Sequence, residues 1–533
     1  MDVKTHAVRD ATALRPGRPA RHGWAARGAA IEPDGAAAPG RTPGAAAPRR
    51  RLSPVALPLT AATALGLALR LLVRRGLWLD EATSVAQARL PFSEMLQDLV
   101  TFDVHPPLHH ALLWVWVRVF GHSEFAVRAP SVIAGTLLVP ALYLLGRELY
   151  DRRTGLVAAL LGAVAPTVVW YSQEARMYAL WMLFVVVAVW AQSRALRRGE
   201  TWPWAVYTLS CIALLWTHYF TVLLIGVQQL VFLAIAARRR RQGRPLAPLL
   251  VPWGLALVVI VLAVAPMLPY VSDQLVAISN TAAEKQEVLD SMNAGAGLGG
   301  DEFVYVAAAN LVWALWGYHA EANMVQLVAT WPLLMVAGLA LLGRRRSSAT
   351  SMLLALTGLP VATLFLLALS QQSLFELRYF MSAVPLLLVL VARAVAAIPV
   401  RGAGRWLALG GFLLTMLVGL LDQQLNPQVP RRYGFELALQ TVAAQAGPGD
   451  VVLYEPWYLA DLIDYYAPGM DAVALRDVTE LPHTGAERVF VIGSFLEQPR
   501  HGQRVGEAVG ALDYSRELES VLEDNNVKVW RFR

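Results

Sequence analysis

Residues 152–198 read RRTGLVAALLGAVAPTVVWYSQEARMYALWMLFVVVAVWAQSRALRR. Two apolar runs, 154–171 and 176–195, flank one polar turn near Glu174. Arg152 and Arg153 close one end; Arg194, Arg197 and Arg198 close the other. A run of about 20 apolar residues crosses the bilayer hydrocarbon as a helix, and fewer suffice where the bilayer thins. Loops rich in arginine stay on the cytoplasmic side. The stretch therefore reads as a membrane hairpin with basic ends inside and the Tyr171–Tyr178 turn outside.

The same pattern extends in both directions. Apolar runs occur at 54–73, 126–147, 154–171, 176–195, 202–217, 219–237, 247–269, 324–342, 350–370, 378–398 and 404–421, which makes 11 spans. With the amino end inside, the inner loops carry Arg152/Arg153, Arg194/Arg197/Arg198, Arg238 to Arg241 with Arg244, Arg344 to Arg346, and Arg401/Arg405. The outer loops, 74–125, the turns near Glu174 and His218, 270–323 and 371–377, are poor in Lys and Arg. Arg74 and Arg75 are the exceptions. An odd number of spans places the carboxyl end outside. Residues 107–120 are apolar but only 14 long, and counting them as a span would put all five arginine clusters outside. They read as a helix lying at the outer interface, where Trp114, Trp116 and Arg118 suit the depth. The second half of 270–323, FVYVAAANLVWALWGY, reads the same way, and Ala294 to Gly300 are glycine-rich.

Composition agrees. The chain has 533 residues, 56% of them hydrophobic and 16% charged, against about 25% charged in soluble proteins. Its one cysteine, Cys211, excludes an intrachain disulfide framework and a Cys-cluster zinc site. Net charge is +7 overall but divides as +6 over 1–52, +8 over 53–421 and −7 over 422–533. Arginines between apolar runs are a topology signal, so the basic balance does not point to nucleic acid. Residues 1–52, rich in Ala, Pro, Gly and Arg without a hydrophobic period, read as a disordered cytoplasmic tail. Residues 422–533 have strand-like runs at Val451–Tyr454, Arg488–Phe495 and Val527–Phe532, with a turn at 447–450, and read as a small extracytoplasmic α/β domain.

The chemistry-bearing residues fall on the outer face. Asp80 and Glu81 follow the first span directly. Adjacent carboxylates at a membrane surface are costly unless paired, metal-bound or solvated. They read either as a general base with a supporting acid or as a solvated turn capping the next helix. Asp103 and His105 stand before Pro106-Pro107, either as helix cap and interfacial histidine or as two ligands of a divalent metal cation. Tyr171, Glu174 and Arg176 share the second outer turn; His218 and Tyr219 mark the third. Arg378, with Tyr379, stands at the outer end of the tenth span, where a guanidinium either binds a phosphate through paired hydrogen bonds or snorkels to headgroups. Chance would divide these groups between both faces. No Walker loop or dinucleotide fingerprint is present, which disfavours a nucleotide-driven pump. Their gathering at one surface disfavours a transporter with a midplane site.

The segment Trp78–Arg198 resembles membrane glycosyltransferases of the GT-C fold, in particular the protein O-mannosyltransferase and aminoarabinose-transferase group, glycosyltransferase family 39. The motifs carrying the likeness are Asp80-Glu81, His105-Pro106-Pro107-Leu108, Ser123 to Arg128 with Pro130-Ser131, and Tyr171 to Leu180. At the position of His105 the aminoarabinose-transferase pattern has Lys. The resemblance does not extend to the 112-residue tail. It implies an all-α polytopic GT-C membrane protein, N-in and C-out. It also implies a polyprenyl-phosphate sugar donor reached from the outer leaflet of the plasma membrane, and inverting transfer to an acceptor hydroxyl. In that frame Asp80 is the base and Glu81 its support or an anchor for the acceptor. Arg378 and then Arg176 take the donor phosphate, and Asp103 and His105 line the sugar site or hold a metal. The acceptor is expected to be an envelope glycan or lipid, with a protein hydroxyl as the alternative. A non-catalytic carrier or scaffold of envelope assembly is the alternative of another class.

Overall fold

The computed structural model describes residues 55–72, 75–103, 105–280, 312–317, 338, 347–368, 377–397, 403–426, 434–478, 486–496, 498–524 and 526–533. The expectations for 1–52, for 294–300 and, Gly338 apart, for the span 324–342 lie outside the described residues. Of the helix expected late in 270–323, residues 312–316 are described, and they are helical.

The membrane part comprises α1 (Ala56–Leu71), α5 (Glu124–Leu149), α6 (Arg152–Val164), α7 (Pro166–Ser172), α8 (Tyr178–Arg198), α9 (Trp202–Leu215), α10 (Thr221–Arg241), α11 (Ala247–Val264), α13 (Ser348–Ala368), α14 (Val384–Ala397) and α15 (Ala403–Leu425). Three outer-loop helices, α2 (Leu79–Arg89), α3 (Phe92–Phe102) and α4 (Leu108–Phe120), lie between α1 and α5, and α12 (Met267–Asn280) follows α11. Among the described residues α5, α8, α10, α11 and α13 are long and apolar enough to cross a membrane alone, and α6 with α7 makes a sixth, bent crossing. The chain is a multi-pass membrane protein.

Two expected spans differ from a straight helix. The run 154–171 breaks at Pro166, with 59° between α6 and α7. Proline has no N–H to give to the carbonyl four residues back. That leaves Gly162 O without its helical partner. Arg70, fully buried at the end of α1, supplies the donors: Nη2 to Gly162 O at 3.0 Å, Nη1 to Ala163 O at 3.2 Å, and Nε to Ser172 Oγ at 3.1 Å. Gly135 on α5 admits this junction, because a Cβ there would collide with Ser172 and lie 2.9 Å from Arg70 Nε. The run 247–269 also ends early: α11 stops at Val264 and α12 starts at Met267, so the loop expected from 270 begins inside a helix.

The two ends of the bundle carry different contacts. At one end Arg197 Nη1 donates to Leu149 O at 2.8 Å, Arg198 Nη2 pairs with Glu148 at 3.0 Å, and Arg393 lies 3.8 Å from Asp151. The amino ends of α5, α8 and α10 meet at the other: Ser131 Oγ donates to Arg176 O at 3.0 Å and Trp181 Nε1 to Thr221 Oγ1 at 2.8 Å.

Residues 434–533 contain α16 (Phe435–Gln445), α17 (Ala460–Tyr466), α18 (Pro499–Ser515) and a five-stranded mixed sheet. The strands are β1 (Val451–Glu455), β2 (Ala472–Ala474), β3 (Val489–Ser494), β4 (Leu518–Asp524) and β5 (Val527–Phe532), ordered β2-β1-β3-β5-β4. β1 runs parallel to β2 and β3; β5 is antiparallel to β3 and β4. Strands β2 and β4 escape a sequence reading. One has three residues, and the other, LESVLED, is half charged and mostly exposed.

The boundary drawn by charge at 421/422 falls inside a helix. Helix α15 runs through it, and residues Leu52–Arg533 form one compact unit. One apolar core joins Leu77, Ala82, Val85 and Ala88 of the first outer loop, Leu113 and Val117 of α4, and Phe435, Leu439, Leu462, Ile463 and Phe490 of the tail. Helix α4 is thus built into the tail's core on one face. Arg118 Nη1 and Nη2 cap the carbonyls of Ala88 and Leu90 at 2.9 and 2.8 Å. Its 13 residues rise about 20 Å, short of the roughly 30 Å hydrocarbon core.

Candidate active site

Asp80 and Glu81 occupy the first turn of α2, where the helix N-terminus favours carboxylates. Successive helical side chains leave the axis about 100° apart, so the two acids face different surroundings. Glu81 is completely buried. It accepts Arg128 Nε at 2.8 Å, Arg128 Nη2 at 2.6 Å and the Ala175 N–H at 2.8 Å. It also reaches back to the Trp78 N–H at 3.4 Å, as an N3 glutamate does in a capping box. Burial alone would raise its carboxyl; the charge and hydrogen bonds of Arg128 hold it below the ordinary value. Arg128 also binds Arg75 O at 2.8 Å and Gly76 O at 2.9 Å. Glu81 therefore ties the start of α2 to α5 and to the second outer turn. Of the two expected acids, Glu81 is the one the fold places in this network, beside Asp80 and not with it.

Asp80 turns the other way. Its side chain is one-third exposed, and Oδ2 lies 3.6 Å from Arg378 Nη1. A residue just beyond the first span thus meets one almost 300 positions downstream. Arg176, buried, donates Nη1 to Ser84 Oγ at 2.9 Å, one turn beyond Asp80, and lies 3.7 Å from Asp103 Oδ2 and 3.3 Å from His105 Nδ1. Asp103 accepts from His105 Nδ1 at 2.5 Å and faces His110 Nε2 at 3.5 Å. Burial would raise its carboxyl, but His105 and Arg176 hold it well below the carboxylate range. Burial pushes His110 down to about 4, so at neutral pH its contact with Asp103 is not an ion pair. His218 stacks on Trp181 at 3.9 Å between ring centroids and meets His105 edge-on at 5.5 Å. Burial lowers its pKa far below the usual histidine value, which leaves it neutral. Tyr379 packs against His218 at 6.4 Å and carries the Arg378 guanidinium 5.3 Å from its ring.

Helix α12 holds the Asp103–His105 segment. Gln274 Nε2 donates to Leu99 O at 3.0 Å and Asp103 O at 3.2 Å, Tyr270 OH donates to His105 O at 3.1 Å, and Tyr219 OH donates to Gln274 Oε1 at 2.5 Å. Tyr219 thus supports this loop from behind. Asp80, Asp103, His105, Arg176, His218, Arg378 and Tyr379 form one continuous cluster.

Two further expected residues lie elsewhere. Tyr171 is a core residue, buried edge-on against Tyr178 at 4.8 Å. Glu174 accepts Trp170 Nε1 at 2.6 Å and lies 3.8 Å from Arg75, whose guanidinium covers the Trp170 ring at 3.6 Å. Both help to shape the turn. Arg70, Arg75, Gln274 and Tyr270 escaped the sequence reading. Arg70 falls inside the run 54–73, Arg75 stood out only as an exception to the loop pattern, and nothing local marks Gln274.

The expected metal pair does not suit a resident cation. Among the described residues no group of three or more His, Cys, Asp or Glu side chains converges as a metal site would need. The Asp103 carboxylate already faces the Arg176 guanidinium, and a cation there would be repelled.

Comparison with known proteins fits this arrangement. Residues 104–270 match the family model described as dolichyl-phosphate-mannose-protein mannosyltransferase. Over 204 residues the chain is 30% identical to the undecaprenyl phosphate-alpha-4-amino-4-deoxy-L-arabinose arabinosyl transferase of Pseudomonas aeruginosa, covering 35% of this chain and 37% of that protein. The alignment thus spans little more than a third of the curated relative's length. ArnT from Cupriavidus metallidurans, solved bound to undecaprenyl phosphate, superposes with a TM-score of 0.55 at 14% identity, over 90% of this chain and 97% of that one. The Archaeoglobus fulgidus oligosaccharyltransferase tethered to an acceptor peptide gives a TM-score of 0.50 at 13% identity, over 85% and 72% of the two chains. The chain therefore has the GT-C fold. Its likeness is to ArnT and to the mannosyltransferase family. The 104–270 match includes His105, Arg176 and His218; Asp80, Glu81 and Arg378 lie outside it.

Proposed function

We propose that this protein is a glycosyltransferase that moves a monosaccharide from a polyprenyl-phosphate donor to an acceptor hydroxyl at the outer face of the plasma membrane. The observation carrying this reading is the 3.6 Å approach of Arg378 to Asp80 within a cluster that also holds Arg176. A carboxylate able to take a proton stands beside guanidinium groups able to take a phosphate. The fold of a protein solved with undecaprenyl phosphate supports the donor class.

The step balances as follows. The acceptor oxygen attacks the anomeric carbon, and its proton passes to the Asp80 carboxylate. The bond from that carbon to the phosphate oxygen breaks, and polyprenyl phosphate leaves with the electron pair. Attack opposite the leaving group inverts the centre. Arg378 and Arg176 stabilise charge as it grows on the leaving phosphate, a preorganised use of cations. When the phosphate engages Arg378, the pair with Asp80 loosens and frees the carboxylate to act as base. Asp103 and His105 orient the sugar, and His218 and Tyr379 wall the site with flat faces.

The acceptor in this reading is an envelope glycan or lipid, with a protein hydroxyl as the alternative. The test is an assay of the purified protein with a panel of polyprenyl-phosphate sugars, offered glycan, lipid and peptide acceptors in parallel. Donor consumption with a glycan or lipid acceptor is expected. Consumption with peptides alone would transfer the reading to a protein acceptor, and no consumption with any donor would leave a carrier or scaffold.

A further inference from the structure

One side of α2 presents Asp80 to Arg378, but another side is held by the tail. Tyr466, the last residue of α17, has its hydroxyl 2.5 Å from the Leu77 N–H, from which it accepts, and 2.5 Å from Glu124 Oε1, to which it donates. Burial together with the Glu124 hydrogen bond raises the phenol pKa, so the group stays a donor. One turn further along α2, Thr83 Oγ1 donates to Asp461 Oδ2 at 2.6 Å, and at the helix end Arg89 pairs with Asp464 at 3.0 Å. The last pair is exposed and adds little. Beneath these polar contacts Leu77, Ala82, Val85 and Ala88 share a core with Leu462 and Ile463. The joint is tight at Gly76. A Cβ there would lie 2.9 Å from the Tyr466 hydroxyl and 3.0 Å from Glu436 Cβ.

We propose that α17 is a positioning element of the active site: the Tyr466 hydroxyl locks the backbone at Leu77 and so sets the direction in which Asp80 leaves α2. Leu77 is three residues before Asp80, and Trp78, between them, caps the helix. A shift at Leu77 therefore tilts the first turn of α2 and moves the Asp80 carboxylate relative to Arg378. Glu81 and Arg128 hold the same turn against α5. The tail supplies the second fixed point that a rigid placement needs. This assignment rests on the glycosyltransferase reading for its effect on rate, while the clamp itself is a matter of structure.

The test uses the full-length chain in lipid nanodiscs and the variants Tyr466→Phe, Gly76→Ala, Asp80→Asn and Leu512→Ala. Leu512 is a buried residue of a separate core behind the sheet. Displacing a catalytic group by about 1 Å costs about 10²-fold, so Tyr466→Phe is expected to lower kcat by about that factor with donor KM unchanged. Gly76→Ala is expected to give the same split. Leu512→Ala should lower the melting temperature more than Tyr466→Phe does and leave kcat near wild type. Loss of one hydrogen bond raises local opening about tenfold, so hydrogen exchange at the Leu77 amide should rise by that much in Tyr466→Phe and not in Asp80→Asn. Unchanged Leu77 exchange, or a kcat that falls only in step with the melting temperature across all variants, would overturn the proposal. If the wild type transfers no sugar, or Asp80→Asn transfers at the wild-type rate, the functional reading fails. The exchange data still decide whether α17 is the clamp.

Discussion

Asp80 and Glu81 are neighbours in the chain and alike in chemistry, yet the fold gives them opposite surroundings. Glu81 is sealed against Arg128 and the Ala175 amide. Asp80 is one-third exposed and faces the guanidinium of Arg378. The difference comes from the helix, which turns consecutive side chains apart, and from what each direction meets. One meets the packed junction of α2, α5 and the second outer turn. The other meets the rim where the tenth span begins. A pair of acids in a sequence is therefore not a pair in the fold: one carboxylate is sealed in an ion pair and the other is left partly exposed beside Arg378.

Substitutions sharpen that contrast. Asp80→Asn keeps the shape and removes the proposed base. It is expected to lower kcat by about 10²–10⁴-fold with the melting temperature unchanged, read by donor turnover and thermal unfolding. Glu81→Gln should do the reverse in kind. It leaves the Arg128 guanidinium buried without its counter-charge, which costs about 3–5 kcal/mol of stability, read as a lower unfolding midpoint. If Glu81→Gln lost activity at full stability, the division of labour would collapse.

Smaller effects test the phosphate side. Arg378→Gln removes a charge-assisted contact of about 1.5–3 kcal/mol, so donor KM should rise roughly tenfold to a hundredfold. Arg378→Lys should recover part of this, because the charge remains and the planar fork is lost. A donor KM indifferent to both would separate Arg378 from the phosphate.

The smallest effect lies in pH. The carboxyls of Glu81 and Asp103 are depressed in the folded state. Their contribution is present above the unfolded value, about 4, and is lost as pH falls through the folded values. Glu124 is raised, chiefly by burial. Its contribution is present below the unfolded value and is lost as pH rises through the folded one. The melting temperature should therefore drop on acidification below about pH 4, less steeply in Glu81→Gln. Glu124→Gln should lift stability at neutral pH relative to acid pH. The same acid slope in wild type and Glu81→Gln would contradict the sealed pair.

Much of the architecture is legible in the chain. Hydropathy marks the helices, because a span must hide its backbone and show apolar side chains to lipid. Arginine runs mark one end of the bundle, and the residues that remain at the other end contain the cluster. Neither the break at Pro166, inside a run that reads as one span, nor its partner Arg70, 96 positions earlier, was legible. The donors that satisfy a broken helix come from whichever element packs across it. Tyr171 and Glu174 misled for the same reason: their motif is real, but the motif builds a turn.

By itself, then, the sequence determined a multi-pass helical bundle, the face that carries the ionisable groups, and a tail with strands, since these follow from local periodicity and charge. Tertiary structure decided that Asp80 meets Arg378, that Glu81 is buried with Arg128, and that the tail shares a core with the first outer loop. Those are contacts between distant segments. They depend on which faces pack together, and a step of one residue along a helix is enough to exchange a buried carboxylate for an exposed one.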